Sequence, residues 1–110
     1  RIKGKKAIPE LIFMLEYDDD TLTGNILKTF SEIGNEAKGA IKTLLVMLQH
    51  ENSAYRALAA EALGEIGEPS LPIIKSLNIL KKDNDKNVAK SAEWSLKELN
   101  RILSEKEDSS

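Results

Sequence analysis

The sequence has no cysteine, one histidine and only 5% aromatic residues in a chain of 110 residues. The absence of cysteine excludes disulfides and thiolate metal sites, and one histidine is too few for a multi-histidine metal centre. We therefore expect no metal and no other cofactor. Because aromatics are scarce while 41% of residues are hydrophobic, the core is predicted to be aliphatic and alanine-rich, which suits closely packed helices.

Excess charge and long apolar runs are also missing. Sixteen basic and 18 acidic residues give a formal net charge of −2, which provides no electrostatic attraction to nucleic acid. No run approaches the ~20 apolar residues of a membrane span, and no signal peptide is visible. We therefore expect a cytoplasmic protein that binds neither nucleic acid nor membrane.

The most informative feature is a pattern with a period of 33 residues. Residues 54–67, AYRALAAEALGEIG, form an amphipathic pattern that ends at a glycine, and related segments lie 33 residues before and after it. A fixed period of this size indicates a repeat array. Each repeat has an Asx residue where a helix N-cap is needed, at Asp19, Asn52 and Asp85.

The pattern predicts an all-α fold of six helices and no strand. The predicted helices span residues 7–17, 22–33, 37–50, 54–66, 69–82 and 86–103, with Gly34 and Gly67 as left-handed stops. Residues 1–6 are expected to form a linker and residues 104–110 a frayed tail, so that 1–110 is one repeat domain. The predicted core stripes include Ile26, Phe30, Ala59, Leu63, Ala92, Leu96, Ile8, Leu44 and Leu77.

The second repeat resembles the HEAT-repeat family, especially the short repeats of phycobilisome-lyase proteins. The resemblance rests on Tyr55-Arg56, residues 59–67, and the following Pro69, Leu71 and Pro72, and it extends over residues 7 to about 100. It implies a right-handed α-solenoid whose first helices are convex and whose second helices line a concave face. Thr23 and Ala89 replace the family's basic residue found at Arg56, so an Asp–Arg ladder between repeats is not expected.

The array begins with a helix of the second type and ends with one of the first type. Terminal repeats normally need polar caps. We therefore expect a fragment of a longer array, with Ile8 or Ile12 of the first helix uncovered and available for self-association.

Four local features allow a functional interpretation, and a structural one is preferred for each. His50-Glu51 offers one imidazole and one carboxylate, too few for the di-iron centre of HEAT-like hydroxylases, so a solvent-exposed histidine is preferred. The run Asp18 to Asp20 lacks the spacing of a calcium loop, and basic residues 1–6 lack an accompanying aromatic or basic groove. Trp94 lies on the polar side of its helix, where packing against the C-terminal turn of that helix or against a missing neighbour is preferred and an interface role is the alternative.

Three equivalent positions place large apolar residues where a helix face is expected to be polar. Phe13 lies about 150° from the core stripe of its helix, and Val46 and Ile79 are its equivalents in the next two repeats. The predicted partner-binding site consists of these three residues, their extensions Tyr17 and His50, and the flanking Glu10, Thr43 and Ser76. Such a surface matches a partner helix or an extended peptide. The alternatives are that an adjacent segment or a second copy covers it, or that the helix phase is wrong and these residues are core.

The sequence therefore predicts a protein–protein interaction scaffold and not an enzyme, because no nucleophile–base pair or phosphate-binding loop is present. One alternative is a non-catalytic subunit or a substrate-holding part of a lyase-type enzyme, which needs a deep pocket with convergent polar groups. A nucleic-acid-binding array needs a basic concave face. The second helices have mixed charge, with Glu10 and Glu16 early and Lys81 and Lys82 late.

Overall fold

The computed structural model describes residues 4–17 and 19–108, and within these ranges it contains helices and turns but no strand. The α-helices are α1 (Ile8–Met14), α2 (Asp20–Ile33), α3 (Ile41–Met47), α4 (Ser53–Ile66), α5 (Leu71–Leu80) and α6 (Lys86–Asp108). Three 3₁₀ segments accompany them, at Gly4–Ala7, Leu15–Tyr17 and Gly34–Ala40. The predicted all-α class is confirmed over the described residues.

The helices form two layers. Helices α2, α4 and α6 make up the first layer, in which α4 packs between the other two. In the second layer α1 packs on α2, α3 on α4 and α5 on α6, so that successive helix pairs stack along one axis. This arrangement is the predicted solenoid.

The core lies between the layers and follows the predicted stripes. Ile26, Phe30, Leu63 and Leu99 are buried, as are the small residues Ala59 and Ala92, which allow helices to approach closely. The predicted stripe contains too few of the buried residues of α4, because Ala60 and Ala62 are also fully buried. Their burial follows from the position of α4, which has packed neighbours on three sides.

The three predicted N-caps are confirmed. Asp19 accepts a hydrogen bond from the backbone N–H of Leu22, and Asn52 accepts one from Ala54, both at 2.9 Å. Asp85 accepts from the N–H groups of both Asn87 and Val88. A cap of this kind contributes about 1 kcal/mol, and the three caps fix where α2, α4 and α6 begin.

The two predicted glycine stops differ. Gly67 is left-handed, with φ 73° and ψ 31°, and its N–H donates to the Leu63 carbonyl. Gly34 has φ 69° but ψ −134°, so the left-handed stop predicted there is wrong, although the positive φ still favours glycine. The chain instead enters the 3₁₀ segment Gly34–Ala40, where the Asn35 amide donates to the Ile66 carbonyl at 2.9 Å. Asn35 thereby satisfies an end carbonyl of α4 in the next repeat.

Several predicted boundaries are wrong. The third helix is α-helical only over Ile41–Met47, and the residues before it form 3₁₀ turns. Residues 4–6, which were predicted to be linker, belong to the 3₁₀ segment Gly4–Ala7. Helix α6 continues to Asp108 instead of ending at residue 103, and the Arg101–Glu105 ion pair, at 2.7 Å, spans its extra turn. The remaining parts of the predicted linker and tail, residues 1–3 and 109–110, lie outside the described residues, as does Asp18.

The first helix exposes less apolar surface than predicted. Ile8 is only 3% exposed, and Ile12 is half-buried. Gly39 explains this burial, since the Cγ2 atom of Ile8 lies 3.2 Å from the place that a Cβ on Gly39 would occupy. The expectation that Ile8 is uncovered is therefore wrong.

Candidate interaction surface

Phe13, Val46 and Ile79 are exposed on α1, α3 and α5, and we call these three residues the apolar ridge. Their exposed fractions are 57%, 72% and 76%. The predicted exposure is confirmed, and the alternative that a wrong helix phase had hidden them in the core is excluded. Their role in binding stays a prediction.

Tyr17 extends the apolar ridge at its Phe13 end. Tyr17 is 66% exposed and lies in the 3₁₀ turn that follows α1. Its ring meets the Phe13 ring edge to face, with centroids 6.0 Å apart. Such a pair is a favourable aromatic arrangement and fixes two large rings at the surface without burying them.

The polar residues predicted to flank the apolar ridge differ in their exposure to solvent. Glu10 is exposed, whereas Thr43 and Ser76 are half-buried. Glu10 is therefore the flanking side chain best placed for a partner.

His50 does not extend the apolar ridge as predicted, because it is half-buried and has partners within the chain. Its Nδ1 accepts a hydrogen bond from the Asn52 N–H at 3.0 Å, and its ring lies edge to face with Tyr55 at 5.0 Å. The imidazole thus orders the turn before α4. The interpretation of His50 as simply solvent-exposed is equally wrong.

Arg56 joins two successive turns of the solenoid. Its Nε and Nη2 donate to the two carboxylate oxygens of Asp83 at 3.0 and 3.2 Å, and its Nη1 donates to the carbonyls of His50 and Glu51. The hydrogen bond from Arg56, followed by one from the Asp85 N–H, holds the pKa of Asp83 below its ordinary value of 3.8. One rung of an Asp–Arg ladder therefore exists, contrary to expectation.

Trp94 lies on the opposite layer from the apolar ridge. It is 40% exposed, and a ring carbon lies 2.8 Å from the position that a Cβ on Gly64 would take. Trp94 therefore packs over α4 rather than on the C-terminal turn of its own helix. Glycine at position 64 leaves the space that the indole occupies.

Two kinds of site are absent from residues 4–17 and 19–108. Within these ranges, no three histidine, aspartate or glutamate side chains are grouped in a way that could hold a metal ion. None of the described helices is long and apolar enough to cross a membrane.

Comparison with known families gives one match. A family model described as HEAT repeats matches residues 8–97, which include α1 to α5, the first half of α6 and the whole apolar ridge. No curated protein and no solved structure matches the chain significantly.

Proposed function

This chain belongs to the family of HEAT-repeat proteins, and from that premise we propose that it is a protein–protein interaction scaffold. The proposed binding surface is the α1, α3 and α5 layer, and the proposed ligand is a helix or an extended peptide of a partner protein. The observation that supports this surface is the exposure of an equivalent apolar residue in every repeat, at Phe13, Val46 and Ile79.

The apolar ridge can supply useful binding free energy. Full burial of one such side chain contributes about 1.5–3 kcal/mol. Three of them, together with the Phe13–Tyr17 ring pair, would supply much of the ~8 kcal/mol of a micromolar complex before the entropic cost of association is subtracted. The proposal is therefore a reversible interaction and not an obligate one.

The spacing of the repeats suggests the length of the partner segment. Packed neighbouring helices lie ~8–10 Å apart, so three of them extend over roughly 20 Å. An α-helix rises 1.5 Å per residue, and about 14 residues therefore match that length. An amphipathic helix with an apolar stripe is the simplest such partner.

A triple variant tests the proposal. Phe13→Ser, Val46→Ser and Ile79→Ser together remove the ridge, and because all three residues are exposed, the thermal midpoint should stay nearly unchanged. The control replaces the exposed Lys28 of α2 and Lys97 of α6, which lie on the opposite layer, with serine.

Affinity capture with the wild-type chain, followed by mass spectrometry, identifies proteins that the control retains and the triple variant loses. Calorimetric titration with a purified protein from that set then measures the loss directly. Equal capture by wild type and triple variant would place the binding site elsewhere.

A further inference from the structure

The layer of α2, α4 and α6 contains a groove of about 520 Å³ that is independent of the apolar ridge. Three glutamates, one from α2 and two from α4, line it together with a lysine and the tryptophan of α6: Glu32, Glu61, Glu65, Lys90 and Trp94. An acidic groove that also contains an exposed aromatic ring suits a cation with a flat, apolar face.

The charged residues that line the groove do not balance one another. Three carboxylates face one ammonium group, which leaves an excess of two negative charges at neutral pH. Glu61 accepts a hydrogen bond from the Ser91 hydroxyl at 2.9 Å, which holds its carboxylate in place. Among the described residues, neither Glu32 nor Glu65 forms an ion pair. The groove therefore has carboxylates available for an external cation.

The repeat shows what kind of cation this glutamate position accepts. Glu32, Glu65 and Glu98 are equivalent residues, 33 positions apart. At the third position the carboxylate of Glu98 accepts from Nη2 of Arg101 at 3.3 Å. Asn35 and Glu68 stand at the positions equivalent to Arg101, so the first two glutamates lack the internal arginine that the third one has.

Trp94 adds the flat surface. Its ring packs over Gly64 and remains 40% exposed. A guanidinium stacks on an aromatic face and bonds carboxylates through its planar fork, whereas an ammonium is a more strongly hydrated point charge. The excess of negative charge also repels the phosphates of nucleic acid. We propose that this groove binds an arginine side chain within a basic segment of a partner protein.

A synthetic peptide provides the probe. The chain has a single tryptophan, so the emission of Trp94 reports directly on this groove. An acetylated and amidated decapeptide of alternating glycine and arginine should change that emission saturably at low ionic strength. The same peptide with citrulline, which keeps the shape but loses the charge, should leave the emission unchanged, and the lysine version should bind several-fold more weakly.

Charge-matched variants locate the site. Glu32→Gln with Glu65→Gln should weaken binding of the arginine peptide roughly fivefold, as expected for the loss of two exposed ion pairs. Glu93→Gln with Glu16→Gln also removes two exposed charges, neither of which lines this groove, and should have an effect below about twofold. Thermal melts of all variants establish that the fold is intact.

Equal weakening by the double control Glu93→Gln with Glu16→Gln, or equal affinity for the lysine peptide, would overturn the proposal. So would saturable binding that leaves the emission of Trp94 unchanged. The triple serine variant of the apolar ridge should bind the arginine peptide normally, so failure of the groove and failure of the ridge are distinguishable.

Discussion

Gly64→Ala is the substitution for which the structure and helix propensity make opposite predictions. In an exposed helix interior, alanine in place of glycine stabilises by about 1 kcal/mol. Gly64, however, is buried where α4 crosses α6. Besides the Trp94 ring carbon at 2.8 Å, an added Cβ would meet two atoms of Ser95, the hydroxyl oxygen at 2.5 Å and the α-carbon at 3.0 Å. The second of these clashes involves backbone, which cannot rotate away.

The magnitude follows from these two clashes. The Ser95 hydroxyl is fully buried and donates to the Ala60 carbonyl, so turning it away leaves a buried polar group unsatisfied, at a cost of about 1–3 kcal/mol. Moving the two helices apart to relieve the clash with the Ser95 backbone costs a further ~1–3 kcal/mol, as in other overpacked cores. After subtracting the propensity gain of about 1 kcal/mol, we expect a net destabilisation of about 1–5 kcal/mol.

Gly24 is the matched control. It lies inside α2, and a Cβ there would meet nothing within 4 Å, so Gly24→Ala should stabilise by about 0.5–1 kcal/mol. Urea unfolding followed by circular dichroism and by Trp94 emission measures both variants. Adding Ser95→Ala to Gly64→Ala should recover part of the loss, because the clash with the hydroxyl disappears. A Gly64→Ala protein as stable as wild type would refute the close helix crossing.

Two other predictions concern the turns and the core. Because the folded pKa of Asp83 is lowered, its pairing with Arg56 stabilises above the ordinary value of 3.8 and is lost as the pH falls through the folded value. Asp83→Asn should therefore cost about 1 kcal/mol at pH 7 and progressively less towards pH 3, measured by denaturant unfolding; a pH-independent difference would contradict the ion pair. Leu63 lies in the fully buried core, so Leu63→Ala should lower the free energy of unfolding by ~2–5 kcal/mol. Lys28 is exposed, so Lys28→Ala should change it by no more than ~0.5 kcal/mol. Equal shifts of the unfolding midpoint would contradict the assigned helix phase.

Features that depend on neighbouring sequence were predictable. The caps at Asp19, Asn52 and Asp85 each need only a short oxygen side chain and the N–H groups that follow it. The exposure of Val46 and Ile79 follows from helical phase, since their positions oppose the apolar stripe. The 33-residue period then indicated the stacking of helix pairs.

Features that depend on interactions between repeats were not predictable in the same way. His50 stands at a helix end that the sequence alone suggests is exposed, whereas in the structure it is half-buried and its ring contacts that of Tyr55. Asp83 is the acceptor of Arg56 because two distant turns come together. The acidic groove did leave a signal in the sequence, namely the recurrence of glutamate at positions 32, 65 and 98. Polar residues that recur at one helix position are ordinarily solvated, however, so this recurrence alone does not indicate a binding site.

The Arg56 side chain implies that the solenoid is not uniformly stiff. At the junction of the second and third repeats, the Arg56 guanidinium donates hydrogen bonds to the Asp83 carboxylate and to the backbone carbonyls of His50 and Glu51. At the junction of the first and second repeats, Thr23 occupies the equivalent position, and the Tyr55 hydroxyl ties the two repeats together through its hydrogen bonds to Asp20. Under bending or tension the first junction should yield before the second. The molecule would then behave as a rigid C-terminal body with a compliant N-terminal end, able to adjust its curvature to the shape of a ligand.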